Sequence, residues 1–518
     1  VSNVISFDIG TTHTKALLVD KTGKILGSAS KEYRITYPNV GWAEQDPRIW
    51  WDAVCDVSND LYSRYHGRFK DIGMIGLSGQ MHGAVFLDAN KNVIRPALLW
   101  CDSRTSKEVE QMRTVLTDNI VKTVLSNPIL AGLTATKVLW LRNNEPEHYS
   151  KVKTLLLPKD YIRFLLTGTI GTDVSDASGT LFFNVKKGQW SAKVLELLGV
   201  NPEMLPPVRS SMSVAGTVIN KAAEQLHIPA DTPVIYGGGD AVMATVGNGV
   251  TAPGKALSVL GTGGNVTIFS DDPFADPKLS MNIFCNVIPG KWIRIGVQNY
   301  AGNSLRWLRD GLLLFEKLLF EEKERNPYEV LTSQATQIEP GSKGLLFLPY
   351  FMGERTPHMD PYARGVLFGL SGIHTRQHIV RAVMEGVVFS FRDTIELVRK
   401  MKVPVYSVRA AGGGARSPLW LQMQADIFNC PVETVKGSPG SGYGAALAAA
   451  VSLGLFSTIA EAVAINIHTD RVYTPDKKNT LIYNELFHEY QELYRSLKNN
   501  FYRMHKRMKN VEHIVAKY

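Results

Sequence analysis

Residues 4–20 read VISFDIGTTHTKALLVD, and residues 255–270 read KALSVLGTGGNVTIFS. Each is a short apolar run, a turn rich in glycine and threonine, and a second apolar run. That order predicts strand, turn, strand. The two stretches lie about half a chain apart, so they point to a duplicated domain with one phosphate-type turn in each half.

Working outward, the first hairpin continues through the turn DKTGK at 20–24 into a third strand over 25–35. Apolar periodicity then predicts helices over 47–65, 106–115, 134–143 and 159–166, with strands over 72–78 and 84–88. In the second half it predicts helices over 301–310, 376–400 and 419–428, with a strand over 405–411. Strands and helices mixed in this way give an α/β fold. Near the end, Leu486, Tyr490, Leu493 and Leu497 recur at helical spacing, as in a long amphipathic helix docked on the body.

The chain has 518 residues, 44% hydrophobic and 20% charged. Two to four domains and a soluble globular class follow, and disorder, collagen and coiled coil are excluded as the main architecture. The four cysteines (Cys55, Cys101, Cys285 and Cys430) form no CxxC pair, which argues against a disulfide framework or structural zinc. The first residues carry no basic stretch ahead of an apolar one, and no apolar run is long enough to span a bilayer. The expected location is therefore cytoplasmic, without membrane attachment. The net charge is +9, but Arg495, Lys498, Arg503, Lys506, Arg507 and Lys509 supply +6 with no acid among 495–509. The remainder carries only +3, so a nucleic-acid partner is not expected and the tail reads as a solvated basic helix face.

The chemistry sits in the glycine-rich turns. A phosphate needs backbone N–H donors and close approach, which glycine permits, with hydroxyls and a cation to complete the cradle. The stretch 8–15, DIGTTHTK, holds all of these. It opens a strand rather than a helix, unlike a Walker A loop, and the chain has no GxGxxG fingerprint. At 235–240, IYGGGD delivers Asp240 after three glycines, either as a general base or as the N-cap of the next helix. At 410–418, AAGGGARSP offers a bare surface ahead of a helix with Ser417 as N-cap and Pro418 at its first position, which suits a nucleotide. The turn over 437–444 fits either a nucleotide or tight helix packing. His374 and His378 have the spacing of a helical metal pair, but Thr375 is placed to cap that helix, which argues against ligation. Three further polar clusters, GWAEQD (41–46), GQMHG (79–83) and GERTPH (353–358), read as loops.

Together these motifs, with LPKDYIRFLLTG (157–168), SDASGT (175–180), GGGDA (237–241) and GGGARSPLWLQMQADI (412–427), resemble the FGGY family of carbohydrate kinases over almost the whole chain. The resemblance implies two ribonuclease H-like (actin-like ATPase) domains around a central cleft. The expected division is 1–249, 250–456 and a C-terminal segment 457–518. Met81-His82-Gly83 places the chain nearest the members that phosphorylate xylulose. By that resemblance Asp240 is the catalytic base and, with Gln80, Met81 and His82, binds the sugar. Asp8 positions Mg²⁺ through water. Thr11, Thr12 and Lys15 contact the transferring phosphoryl group, Gly261 and Thr262 form the second phosphate loop, and Gly413, Gly414 and Ala415 flank the adenosine. The implied reaction is transfer of the γ-phosphoryl group of ATP to a ketopentose, D-xylulose first. Ribulose, L-xylulose and gluconate are alternatives, and an ATPase without a sugar acceptor is a remote one. By the same resemblance a homodimer is the expected assembly. One residue departs from the pattern: Ala241 stands where xylulose-specific members commonly carry Asn, a ligand of a sugar hydroxyl.

Overall fold

In the computed structural model, which describes residues 2–313, 318, 326–437 and 440–515, the first glycine-threonine motif is the hairpin of β1 (Asn3–Ile9) and β2 (His13–Val19). It is extended by β3 (Ile25–Glu32), α1 (Arg48–Phe69) and β4 (Ile72–Gly79). The helices that follow include α2 (Ser106–Val115), α3 (Thr134–Asn144) and α4 (Pro158–Thr167). Then come β5 (Val214–Thr217), β6 (Pro233–Ile235), β7 (Gly238–Gly239) and α5 (Asp240–Gly247). The sheet runs β5-β6-β4-β1-β2-β3, with β7 pairing parallel to β4. Strand β1 is antiparallel to β2 and parallel to β4, so the hairpin sits at the sheet's centre. Ile5, Phe7 and Ile9 of β1 and Leu18 of β2 are fully buried, against Trp50, Val54 and Leu61 of α1. At about 1.5–3 kcal/mol for each large apolar side chain, this packing outweighs the weak helix propensity of so many aromatic and β-branched residues.

The second motif forms β8 (Gly254–Leu260) and β9 (Gly264–Ser270), followed by β10 (Trp292–Gln298) and the short α6 (Gly302–Trp307). Helix α7 (Arg376–Lys400), β11 (Val405–Ala411), α8 (Pro418–Phe428) and β12 (Val432–Val435) complete the core of this half. The chain continues through α9 (Gly440–Ser452), β13 (Thr469–Tyr473) and α10 (Lys477–Val515). The strand order is β13-β12-β11-β8-β9-β10, with a further strand, Asn282–Cys285, beyond β10; its first six strands repeat the order β5-β6-β4-β1-β2-β3. The directions repeat as well. The hairpins are antiparallel (β1–β2, β8–β9), the central neighbours parallel (β1–β4, β8–β11), the next pairs parallel (β4–β6, β11–β12) and the edges antiparallel (β5–β6, β12–β13). Even the register shift at the start of the central strand recurs, at Asn3/Val4 and at Gly254/Lys255. The duplication expected from two short motifs is therefore a duplication of whole sheets.

Two compact units result. The first holds Val1–Ala252, Phe269–Arg294 and Gly437–His468; the second holds Pro253–Ile268, Ile295–Lys436 and Thr469–Tyr518. Helix α9 thus returns to the first unit, where it packs on α5, β1 and β4. Two glycines permit that contact. A Cβ on Gly247 would lie 1.9 Å from the carbonyl oxygen of Gly440, and one on Gly444 would lie 2.0 Å from that of Met243. Of the two readings of the 437–444 turn, close helix packing is the one this geometry displays. In the second unit α10 docks Tyr483, Phe487, Tyr490 and Tyr494, all buried.

Several boundaries move. The strand expected to reach 35 ends at Glu32, and the first helix runs on to Phe69 past a non-helical backbone at Tyr65. The helix expected over 301–310 is α-helical only to Trp307, then widens into a π-turn, Leu308–Leu312. Residues 438 and 439 of the second glycine turn, 516–518 of the C-terminal segment and the side chain of Lys509 lie outside the described residues. Among the described residues no helix is long and apolar enough to cross a membrane.

Candidate active site

In the first unit the carboxyl ends of the parallel strands β1, β4 and β7 lie side by side, with Ile9 opposite Gly79 and Gly79 opposite Gly239. Open α/β sheets bind ligands at this end. The three strands deliver Gly10-Thr11-Thr12, Gln80-Met81-His82 and Asp240, so residues spread over 230 positions of sequence are collected here. The turn is held by its carbonyls. Gly10 O accepts from Tyr33 Oη at 2.6 Å, and Thr11 O accepts from Gln45 Nε2 at 2.8 Å. The indole of Trp50 donates to Gln45 Oε1 at 2.9 Å, and that of Trp100 donates to Thr11 Oγ1 at 2.9 Å. Among the described residues nothing accepts from the N–H groups of Thr11 and Thr12. A loop held through its carbonyl oxygens, with the N–H groups of Thr11 and Thr12 open, has the form that can cradle an anion. Tyr33, Gln45 and Trp100 hold this turn, and of the three only Gln45 lies in a motif that the sequence singles out, GWAEQD.

Asp8 stands directly across from Lys15 in the β1–β2 ladder, so both side chains share one face. Asp8 Oδ2 accepts from Ser441 Oγ of α9 at 2.5 Å, while Oδ1 is buried with no hydrogen-bond partner among the described residues. Asp240 is the first residue of α5. The N-cap is Gly239, so the capping role weighed for Asp240 is not the one it takes. Burial pushes the Asp240 carboxyl up to about 7, the negative charge of Asp8 adds to this, and the N–H of Ala241, donating at 2.7 Å, opposes it. Met81 packs against β7: a Cβ on Gly239 would meet its Cγ at 2.6 Å. His82 has a left-handed φ of 67°, and its Nδ1 lies 3.0 Å from Gly179 O. The fully buried Lys137 holds the backbone there, donating to His82 O at 2.6 Å.

The second unit repeats the arrangement with different groups. Here the carbonyls of the turn are held by the start of α6: Gly302 N–H donates to Gly261 O at 2.9 Å, and Ala301 and Asn303 N–H donate to Thr262 O at 3.2 and 3.1 Å. Strand β11 ends beside β8 and is followed by Gly412, where a Cβ would lie 2.6 Å from Leu260 O. The turn Gly413–Arg416 then leads to α8, whose first N–H groups are met by Ser417, accepting from Trp420 N at 3.3 Å. Gly261, Thr262, Gly413 and Gly414 all line one cavity of about 940 Å³, together with Leu305, Tyr328 and Leu419. Ala415 follows them in the turn without lining it. Its size and mainly apolar walls suit a nucleoside.

The remaining motifs are supports. His374 Nδ1 and His378 Nδ1 accept from the backbone N–H groups of Ser371 and Thr375 at 2.9 and 3.1 Å, and no metal-type cluster of side chains occurs among the described residues. Glu354 of GERTPH accepts from the N–H groups of Asn299 and Arg355 at 3.0 and 2.7 Å. Burial raises its carboxyl to about 8.

Comparison with known proteins agrees with this geometry. Residues 3–247 match the N-terminal domain, and residues 256–453 the C-terminal domain, of the FGGY family of carbohydrate kinases. The chain is 36% identical over 496 residues to the xylulose kinase of Bacillus subtilis, covering 96% of this chain and 97% of that one. It superposes on the ligand-bound xylulose kinase of Lactobacillus acidophilus with a TM-score of 0.90 at 29% identity, over 97% of this chain and all of the other. It superposes equally well, TM-score 0.90 at 30% identity and the same coverage, on the gluconate kinase of that organism.

Proposed function

The chain belongs to the FGGY family of carbohydrate kinases, and from that membership we propose that it transfers the γ-phosphoryl group of ATP to a ketopentose hydroxyl, converting D-xylulose to D-xylulose 5-phosphate. One observation carries the mechanism: the Asp240 carboxyl, raised to about 7, at the strand end shared with the open phosphate turn. A base works best when its proton affinity lies near the working pH. In this reading Asp240 takes the proton of the sugar hydroxyl as its oxygen attacks phosphorus. Gln80, Met81 and His82 shape the sugar side. Thr11 and Thr12 present N–H and hydroxyl donors to the phosphoryl oxygens, and Lys15 adds positive charge from the neighbouring strand. Gly261 and Thr262 serve the remaining phosphates, while Gly413, Gly414 and Ala415 border the adenosine. Phosphoryl transfer depends mainly on such positioning and charge neutralisation.

The donor set suits Mg²⁺. Asp8 offers an unpartnered buried oxygen, and its negative charge adds to burial in raising the proton affinity of Asp240. Mg²⁺ usually takes one or two carboxylates and fills its shell with water and phosphate oxygens. When bound it would neutralise charge on the nucleotide phosphates. Asp8 would orient its waters, with Ser441 fixing the carboxylate.

A second acceptor class is supported by Ala241 and by the similarity to gluconate kinase. A missing amide ligand changes discrimination between hydroxylated substrates by orders of magnitude. The test is Mg·ATP-dependent ADP release over D-xylulose, L-xylulose, D-ribulose, L-ribulose, gluconate, glycerol and erythritol, with Asp240→Asn alongside. Turnover of D-xylulose that collapses in the variant supports the proposal. Preference for gluconate transfers it to the second class, and ADP release indifferent to every sugar removes it.

A further inference from the structure

We propose that Ser175 and Asp173, anchored by Lys159, are positioning residues for Asp240: they fix the strand end from which the base is presented. This rests on the reading of Asp240 as the base. Lys159 of the LPKDY stretch, and Asp173 and Ser175 ahead of and within SDASGT, are fully buried. Asp173 caps the short helix Val174–Ala177. Its Oδ1 lies 2.8 Å from Lys159 Nζ. Its Oδ2 accepts from Ser175 N at 2.8 Å, Ser175 Oγ at 2.5 Å and Ser211 Oγ at 2.7 Å. A serine hydroxyl has one proton, and here it is committed to Asp173, so the oxygen's lone pairs face outward. They accept from the N–H of Gly239 at 3.0 Å.

That bond falls on the residue immediately before Asp240. It is the last link of a chain that runs lysine, carboxylate, hydroxyl, backbone N–H, in a dry interior where each bond polarises the next. The strand has little freedom on either side. A Cβ at Gly238 would lie 3.0 Å from Ser175 Oγ, and one at Gly239 would lie 2.6 Å from Met81 Cγ. β7 is thus held between the network and a residue of the sugar side. Asp240 itself, at the start of α5, inherits its direction from Gly239. A base displaced by about 1 Å loses on the order of 100-fold in rate.

The test is a double-mutant cycle on the full chain, read by steady-state kinetics with D-xylulose, or with the best acceptor of the sugar panel. Ser175→Ala is expected to lower kcat about 30-fold with the sugar KM within about threefold, because binding groups stay in place while the base does not. In the Asp240→Asn background the same change is expected to lower the residual rate by less than about twofold, since its effect passes through Asp240. An equal loss in both backgrounds, or wild-type kcat in Ser175→Ala while Asp240→Asn is inactive, overturns the positioning role alone. Wild-type turnover in Asp240→Asn overturns the base assignment and this proposal with it. If Ser175→Ala fails to fold, Ser211→Ala removes one donor from Asp173 at a greater remove. It is then expected to lower kcat about threefold with the same non-additivity, and wild-type kcat in that variant overturns the proposal.

Discussion

Ser441 donates to Asp8 Oδ2 at 2.5 Å, joining two residues 433 positions apart in the chain. Asp8 is the last residue but one of the central strand, and Ser441 lies in the first turn of a helix that rejoins the first unit after most of the second unit's sequence has passed. The bond occupies one carboxylate oxygen and leaves the other, buried and unpartnered, pointing in a fixed direction.

Removing it should therefore loosen Asp8 without discharging it. Ser441→Ala is expected to lower kcat about tenfold and to raise the Mg²⁺ concentration for half-maximal rate about threefold, as for other supports of a metal-site carboxylate. Asp8→Asn is expected to lose about 100-fold or more. Initial rates over a Mg²⁺ titration check both. An unchanged Mg²⁺ dependence in Ser441→Ala would separate the hydroxyl from any part in cation binding.

The Asp240 carboxyl, raised to about 7, predicts the pH behaviour. Because the base acts when ionised, kcat/KM should fall as pH drops through about 7, and Asp240→Asn should lack that limb. Stability should run the other way. A folded-state value above the unfolded one of about 3.9 means that ionisation favours unfolding. The penalty is absent below pH 4, grows from 4 to about 7 and is constant above. Asp240→Asn should thus raise Tm at pH 8, with the gain shrinking toward pH 4. A Tm gain independent of pH would contradict the assignment of that proton to Asp240.

The glycine-threonine turns and Asp240 were legible because their chemistry is local. A glycine ahead of hydroxyls, or an acid after three glycines, states its conformational reason in a few residues. The duplication was legible only as two short motifs. Its proof is the shared order of six strands and the shared direction of the pairs from hairpin to edge, and edge strands such as Val214–Thr217 and Thr469–Tyr473 carry too little pattern to be read alone. The linear division at 249 and 456 could not express the return of 437–468 to the first unit, because that return depends on Gly247 and Gly444 meeting across space. Tyr33 and Trp100 were invisible for a similar reason: a tyrosine on a strand flank and a half-exposed tryptophan say nothing of the carbonyl or hydroxyl they reach. The 301–310 helix was read to its end because the widening at Leu308 leaves the apolar period intact.

Helix α5, which carries Asp240, packs on α9 with the backbones meeting at Gly247 and Gly444, so a single methyl should be felt. Gly247→Ala places a carbon 1.9 Å from Gly440 O, and backbone cannot turn aside as a side chain can. A loss of about 1–3 kcal/mol, or more, is expected from the urea midpoint. Gly67→Ala, in α1 with nothing within 4 Å of the new carbon, is the control, and should be neutral or gain about 0.5–1 kcal/mol. Equal midpoints for the two variants would mean that α5 and α9 do not pack as closely as their carbonyls indicate.

The nucleotide assignment of the second unit can be tested at a glycine whose neighbours leave room for a side chain. Gly412 has φ +81° and Gly414 is backed by the side chain of Leu260 within 2.9 Å, so substitution at either would disturb the backbone or the core. Gly413 differs. The first atom a Cβ would meet is Leu260 O at 4.0 Å, and the residue lines the cavity of about 940 Å³. Gly413→Val should therefore fold with little change in Tm while its methyl groups take up space meant for adenosine. About a tenfold rise in the ADP dissociation constant by calorimetry is expected, with the sugar KM unmoved, since the sugar-side residues belong to the other strand ends. Unaltered ADP affinity in a folded variant would place the nucleoside away from Gly413. A rise in sugar KM with ADP binding intact would exchange the roles of the two glycine-lined strand ends, because the two sheets share one topology and only the side chains at their carboxyl ends tell the sugar side from the nucleotide side.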